Sequence, residues 1–268
     1  MTSKMVFWVL TLFPGMLECL RYSVVGRAWQ SGLIDIRTID YREFAADKHL
    51  CVDDSPYGGG GGMVLKVDPI VRALRSLPTG TGRRVVLLSP QGKIFRQEDG
   101  RRLAAYDEVV FVCGRYEGFD ERVRAYVDEE ISLGDYVLSG GELGAAVLID
   151  AVARHIDGVL GNSGSVLTES HGEGCLEYPQ FTRPEVYEGV AVPKVLMSGH
   201  HAEIERWRRK EALRRTFLRR PDLFEELTFG TGDYALLEEL VAEYPELAGL
   251  REGWQHLRHQ AKRVRFTR

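Results

Sequence analysis

Three segments of this chain are near-continuous apolar runs, and each ends in a turn that holds glycine. Met5 to Phe13 (MVFWVLTLF) runs into Pro14-Gly15, Arg84 to Leu88 into Ser89-Pro90-Gln91-Gly92, and Glu108 to Cys113 into Gly114-Arg115-Tyr116-Glu117-Gly118. A strand with one face in water alternates apolar and polar residues. A strand that is apolar throughout has to be covered on both faces, which is the situation of parallel sheets. A helix-like run from Met16 to Gln30 and an alternating stretch from Ile34 to Tyr41 complete a strand, helix, strand opening, so the expected fold class is α/β. Ligands in open α/β sheets settle outside the carboxyl ends of the strands, where the turns after Leu88 and Cys113 fall.

A third glycine-bearing segment, Ser132 to Leu143 (SLGDYVLSGGEL), has the make-up of a ligand loop. Gly140 and Gly141 let backbone come close to a small molecule, and Glu142 complements the dipole of a following helix. A tight strand-to-helix turn without a ligand is the alternative. The surrounding pattern predicts helices over Val67 to Leu77, Asp120 to Glu130 and Leu143 to Ile156. Between Asp47 and Met63 five successive glycines follow Pro56-Tyr57, either as a loop fitted around something or as a flexible connection.

From Asp157 to Gly174 the residues become small and polar, which marks a hinge. We expect a first domain over 1–160, a linker over 161–175 and a helical domain over 176–268. Helices are expected at Ala202 to Arg220, Tyr234 to Glu243 and Trp254 to Arg265, with Pro179 to Pro184 a loop. With 268 residues, 44% of them hydrophobic, the chain is long enough to bury a sizeable core. Its four cysteines lie far apart without a CxxC pair, which favours free thiols in a reducing compartment. Lys4 before MVFWVLTLF resembles a signal peptide, but Pro14 and Glu18 follow, so a buried first strand is the better reading. No apolar run reaches the roughly 18 residues of a membrane span, and a cytoplasmic protein with no membrane partner is expected.

There is no GxGxxG, GKS or GKT, GxSxG or HExxH, which sets aside dinucleotide enzymes, P-loop NTPases, elbow-type serine hydrolases and zincins. His200 and His201 are adjacent and point apart on a helix, so no metal site is expected there. The net charge of −4 gives no general attraction to nucleic acid. The basic residues between Arg206 and Arg220 are the local exception, either a phosphate-binding face or a solvated helix offset by the acids after Asp222.

Leu88 to Gly92, Val112 to Gly118, GDYVLSGGEL, Thr182-Arg183-Pro184-Glu185, Ser198 to Ile204 and Val52 to Gly60 occur here in one order. Together they resemble bacterial tRNA (guanine-N1)-methyltransferases of the SPOUT class, over nearly the whole chain. The resemblance implies a mostly parallel α/β domain with a deep trefoil knot, a small all-α carboxyl-terminal domain, and a homodimer with a shared active site. It implies S-adenosylmethionine bound by Leu88, Ser89, Pro90, Gly114, Tyr116, Glu117, Gly118, Ser132, Leu133, Gly134, Tyr136, Leu138, Gly140 and Gly141. The implied reaction methylates N1 of the guanosine 3′ of the anticodon, position 37, in the tRNA anticodon stem-loop. Glu169 stands where the family has an aspartate base, with Glu173 as its rival, and Arg154 matches the catalytic arginine. Asp53, Gly59, Arg115, His201, Arg208, Arg209 and Arg215 are the implied RNA contacts. The base has to be splayed from the anticodon loop to reach the pocket, where Tyr116 or Tyr136 would stack on it, the alternative being that either is a core residue. Glu117 would face the donor's amino-acid part or a Mg2+ ion, although the residues themselves show no metal site. Two rivals stand beside this reading: the same fold methylating a ribose 2′-hydroxyl, and a non-catalytic RNA-binding protein.

Overall fold

The computed structural model describes residues 4–80, 82–161, 169–172, 174–244 and 247. They fall into two compact units, 1–163 and 164–268, and the division lies inside the stretch 161–175.

In the first unit β1 (Met5–Thr11) leads through a 3-10 helix at Pro14–Arg21 into α1 (Ser23–Gln30), followed by β2 (Ile34–Asp40). An antiparallel pair, β3 (Asp53–Asp54) with β4 (Val64–Leu65), encloses the glycine-rich loop. Then come α2 (Val67–Ser76), β5 (Arg83–Ile94), α3 (Gln97–Leu103) and β6 (Glu108–Cys113). A 3-10 turn at Glu121–Tyr126, β7 (Glu129–Ser132) and α4 (Glu142–Ala153) complete it. Five strands form one sheet in the order β2-β1-β6-β5-β7, and every neighbouring pair is parallel.

Strand alternation divides the apolar side chains between two cores. Phe7, Val9, Val109 and Phe111 pack against Val25 and Ala28 of α1, Leu103 of α3 and Leu148, Ile149 and Val152 of α4. Trp8, Leu10, Val110 and Val112 pack on the other face with Ile70 and Ala73 of α2 and with Tyr41 and Val123. The sheet is thus covered on both sides, as the apolar strands required, and each large side chain fully buried there contributes about 1.5–3 kcal/mol.

Two local expectations need correction, and one helix escaped the sequence pattern. The run Met16 to Gln30 is broken at Ser23, whose φ is +60°, and Gly26 is what permits the bend. A Cβ at Gly26 would lie 2.1 Å from the Arg21 carbonyl oxygen. Asp120 to Glu130 is a 3-10 turn followed by the edge strand β7. That strand escapes an apolar-run criterion because Glu129 and Glu130 hold ion pairs with Arg84, Arg102 and Arg124. Helix α3, starting where the Asp99 carboxylate accepts from the Arg96 main-chain N–H at 3.1 Å, has too few apolar residues to show a period.

Strand β5 also runs past its expected end at Leu88. Leu88 and Lys93 share the same partner, Ile131, so Ser89 to Gly92 leave the ladder and rejoin it at one rung.

The second unit holds α5 (His201–Arg219), α6 (Pro221–Glu226) and α7 (Asp233–Glu243) around Leu213, Phe224, Leu227, Leu236, Leu237 and Leu240. It is helical but not wholly so. A two-stranded antiparallel hairpin, β8 (Val186–Tyr187) with β9 (Val190–Ala191), turns through Glu188 and Gly189, both at positive φ. The expected helix at Trp254 to Arg265 lies outside the described residues.

Candidate active site

The β5 excursion, the turn after β6 and the segment after β7 meet at the carboxyl edge of the sheet around a cavity of about 350 Å3. Every residue assigned above to the methyl donor lines it except Gly134. Gly134, at φ +154°, stands behind the wall, where its carbonyl accepts from Ser132 Oγ (3.1 Å) and its N–H donates back to that oxygen (3.2 Å). Gln91, Phe119, Glu121, Arg124, Ile131, Val137, Ser139 and Gly144 also line the cavity, though none was singled out for the donor by residue. Gln91 and Ser139 lie inside motifs already singled out, whereas Glu121 and Arg124 carry no local signal.

Main-chain contacts join the turns. Gly141 N–H donates to the Gly114 carbonyl at 3.0 Å, and Arg115 and Gly140 form an antiparallel bridge. The approach is too close for side chains, since a Cβ at Gly141 would sit 2.7 Å from Cys113 Cα. From behind, the buried Tyr41 hydroxyl donates to the Cys113 carbonyl at 3.1 Å. Burial pushes the Tyr41 phenol well up, and burial followed by the Glu142 charge does the same to the Cys113 thiol, so both stay neutral. Tyr116 has φ +59°, a conformation that L residues hold at a functional turn when the surroundings over-determine it.

The glycine-rich loop is fastened beside this turn. Glu117 N–H donates to the Met63 carbonyl (3.0 Å) and Leu65 N–H to the Gly118 carbonyl (2.9 Å). Asp53 pairs with Leu65 at the base of the loop, while Tyr57 and Gly59 are exposed on it.

Arg115, assigned above to RNA, lies in the cavity wall. Its Nη2 is 3.0 Å from Glu142 Oε2, its Nη1 donates to the Ser139 carbonyl at 3.2 Å, and its guanidinium lies over Phe13 at 4.4 Å. Arg154 is half-buried just beyond the last turn of α4 and does not line the cavity. In the second unit Glu169 opens a turn closed by Gly172 N–H to its carbonyl (2.9 Å), and the neighbouring Ser170 Oγ accepts from Glu177 N–H at 3.0 Å. Its rival Glu173 lies outside the described residues. His201 starts α5 and is exposed. Arg209 is bound to Asp233 through two hydrogen bonds of 2.9 and 2.8 Å, Arg208 pairs with Glu205, and Arg206 and Lys210 pair with Glu239. Arg215 and Arg219 hold no ion pair among the described residues. Much of the basic charge of α5 therefore serves the packing of its own unit. Among the described residues no three His, Cys, Asp or Glu side chains converge as metal ligands.

The cavity walls divide by chemistry. Leu88, Ile131, Leu133, Leu138 and Gly144 are the apolar part of the lining and suit a flat ring, while Glu117, Tyr116 and Tyr136 offer a carboxylate and aromatic faces that attract a cation; Glu121 is already paired with Arg124, which also lines the cavity.

Residues 5–226 match the model of the family described as tRNA (Guanine-1)-methyltransferase TrmD. A protein of Desulfitobacterium hafniense (strain Y51) named tRNA (guanine-N(1)-)-methyltransferase is 57% identical over 262 residues, covering 97% of this chain and all of that protein. Proteins of the same name from Syntrophotalea carbinolica and Dehalococcoides mccartyi are 54% and 52% identical, each covering 88% of this chain and 96% of their own length. A match of that extent, on a chain whose three glycine-bearing turns close one cavity, places this protein in the tRNA (guanine-1)-methyltransferase family.

Proposed function

We propose that this protein transfers the methyl group of S-adenosylmethionine to N1 of guanosine 37 in tRNA, acting as a cytoplasmic homodimer. The meeting of the three turns around one cavity, in a member of this family, is the observation that carries the reading. The apolar part of the lining suits an adenine, and the Glu117 carboxylate with Tyr116 and Tyr136 suits a sulfonium and an amino group, so the residues present fit the donor. When bound, that donor supplies an electrophilic methyl on a positively charged sulfur. Glu117 takes the amino-acid part of the donor. Because the described residues offer no cage of three metal-ligating side chains, no step is assigned to Mg2+.

Glu169 removes the N1 proton of guanine as the methyl arrives, since that nitrogen is protonated in the neutral base and is a poor nucleophile until the proton leaves. Arg154 stabilises the charge that builds on O6. The geometry of α4 supports a site shared between subunits. Glu142 and Gly144 are at the cavity end of the helix, and Arg154 lies beyond its other end, about 18 Å away at 1.5 Å per residue. That distance favours Arg154 meeting a base held at the cavity of a second subunit over one held at its own. Exposed Leu143 and Val147, one turn apart on α4, with exposed Phe13, Val137 and Leu138, form the apolar surface such a partner would cover. The trefoil knot implied for the first unit, the linker carrying Glu169 and the RNA contacts of Asp53, Gly59, His201, Arg208, Arg209 and Arg215 belong to the same reading.

The test is incubation with unmodified tRNA and methyl-labelled S-adenosylmethionine, followed by nucleoside analysis. Label in 1-methylguanosine at position 37 is expected. Label in a 2′-O-methyl nucleoside, or tRNA binding without transfer, would overturn the proposal.

A further inference from the structure

We propose that Glu142 and Thr11 are positioning residues for the donor pocket, acting through Arg115 to hold the turn after β6 against the segment after β7. Neither lines the cavity, and both are fully buried. A carboxylate with no exposed surface, at the first residue of α4, is unfavourable unless its charge is used, because an apolar residue there would avoid the desolvation. Glu142 is held from two sides. Thr11 Oγ1, at the last residue of β1, donates to Oε1 at 2.7 Å, and Arg115 Nη2 stands 3.0 Å from Oε2. Oε2 has no partner with hydrogen-bond geometry, so the ion pair is its one favourable contact among the described residues.

Arg115 then spans what it joins. Its main chain bridges Gly140, its Nη1 reaches the Ser139 carbonyl, and its guanidinium packs on Phe13. Gly140 is glycine for the same reason, since a Cβ there would stand 2.3 Å from Arg115 Nε and 2.6 Å from Glu142 Oε2. Three segments that each contribute to the cavity wall or its rim are thereby registered by one buried charge. Donor affinity follows from this charge although the donor does not touch it. Arg115 is assigned to pocket registration and not to RNA, which deepens the reading above and rests on it.

The test compares the purified full-length protein with Glu142→Gln, Thr11→Val, Arg115→Gln and the Glu142→Gln/Arg115→Gln double variant. S-adenosylhomocysteine is the probe in calorimetry, beside methyl-transfer kinetics. Glu142→Gln is expected to weaken binding about tenfold or more, near the lower end of what a hydrogen bond to a charged group contributes, and Thr11→Val by about threefold, within the range of an ordinary hydrogen bond. The donor KM should rise in step while kcat at saturating donor changes much less, and the double variant should bind no more weakly than Arg115→Gln alone. If Glu142→Gln does not fold, Thr11→Val, which keeps shape and charge, decides by the same split. Unchanged donor affinity in the variants, additive losses, or a loss confined to tRNA affinity overturns the proposal. Wild-type protein that binds no S-adenosylhomocysteine overturns the donor reading and this one with it.

Discussion

Replacing Gly141 with alanine tests the closure of the cavity through a single methyl group. Its φ of −78° and ψ of −12° are ordinary for alanine, so the substitution carries no conformational penalty. Space alone opposes it. The new Cβ would lie 2.7 Å from Cys113 Cα, 3.0 Å from Cys113 Cβ and 3.1 Å from the Gly114 nitrogen, all at the end of the central strand. Those atoms cannot retreat without breaking the sheet, so the strain is relieved by separating the two turns, which opens the 3.0 Å hydrogen bond from Gly141 to Gly114. Overpacking of this kind costs about 1–3 kcal/mol, and placed on the donor-binding equilibrium it corresponds to a loss of roughly 5- to 140-fold. The assay is calorimetric titration with S-adenosylhomocysteine beside a thermal melt. Gly15→Ala, where an added Cβ meets nothing within 4 Å, serves as the control. Donor affinity within twofold of wild type and an unchanged melt would show that the turns do not depend on this contact.

Glu169→Gln should lower methyl transfer by about 100- to 10,000-fold without changing donor affinity, and near-normal turnover would reassign the base. Co-expressed with Gly141→Ala and assayed at a donor level too low to fill the Gly141→Ala pocket, it should regain about a quarter of wild-type activity if each pocket draws its base from the other subunit, since half of the dimers then hold one intact site; no recovery above Gly141→Ala alone would return both parts to one chain. Arg215→Gln/Arg219→Gln should weaken tRNA binding and flatten the log-log salt dependence by roughly 1 to 2, and an unchanged slope would make α5 an ordinary solvated helix. Burial alone would raise Asp99 and Glu129. Hydrogen bonds outweigh it, from the Arg96 main chain, Arg102 and Lys93 to Asp99 and from Arg102 and Arg84 to Glu129, and both carboxyls titrate below their usual range. Their stabilisation is complete above the unfolded pKa values near 4 and is lost as pH falls through the lower folded values. Arg102→Gln should therefore flatten the fall in urea midpoint below about pH 4, and an unaltered acid dependence would remove Arg102 from that role.

What was legible in the sequence follows from which interactions are local. Strands buried on both faces announce themselves, as β6 does with Glu108–Cys113, because their environment demands apolar residues at every position. The glycine turns were legible because close backbone approach admits no side chain. Strand β7 was not, since its stability comes from ion pairs to arginines on β5, α3 and the 3-10 turn before it, which no window of sequence holds together. Glu142 was read as a complement to a helix dipole, and its engagement with Thr11, 131 residues away, is invisible without the fold. For the basic residues of α5 the sequence left two readings open, a phosphate face or charges offset by the acids after Asp222, and Asp233 and Glu239 fulfil the second for Arg209 and Arg206.

The departure and return of β5 at one rung, opposite Ile131, separates two demands that most binding loops must meet together. The ladder closes beneath Ser89 to Gly92 like a clasp, so the sheet registers the two ends of the excursion, while Gly92, where a Cβ would lie 2.5 Å from the Glu130 carbonyl carbon, must stay small and Gln91 Oε1 accepts from Arg124 at 3.0 Å. Pro90, exposed at the tip of the excursion, is thus the position that can be traded for a differently shaped ligand wall while folding proceeds on the unchanged Leu88 and Lys93.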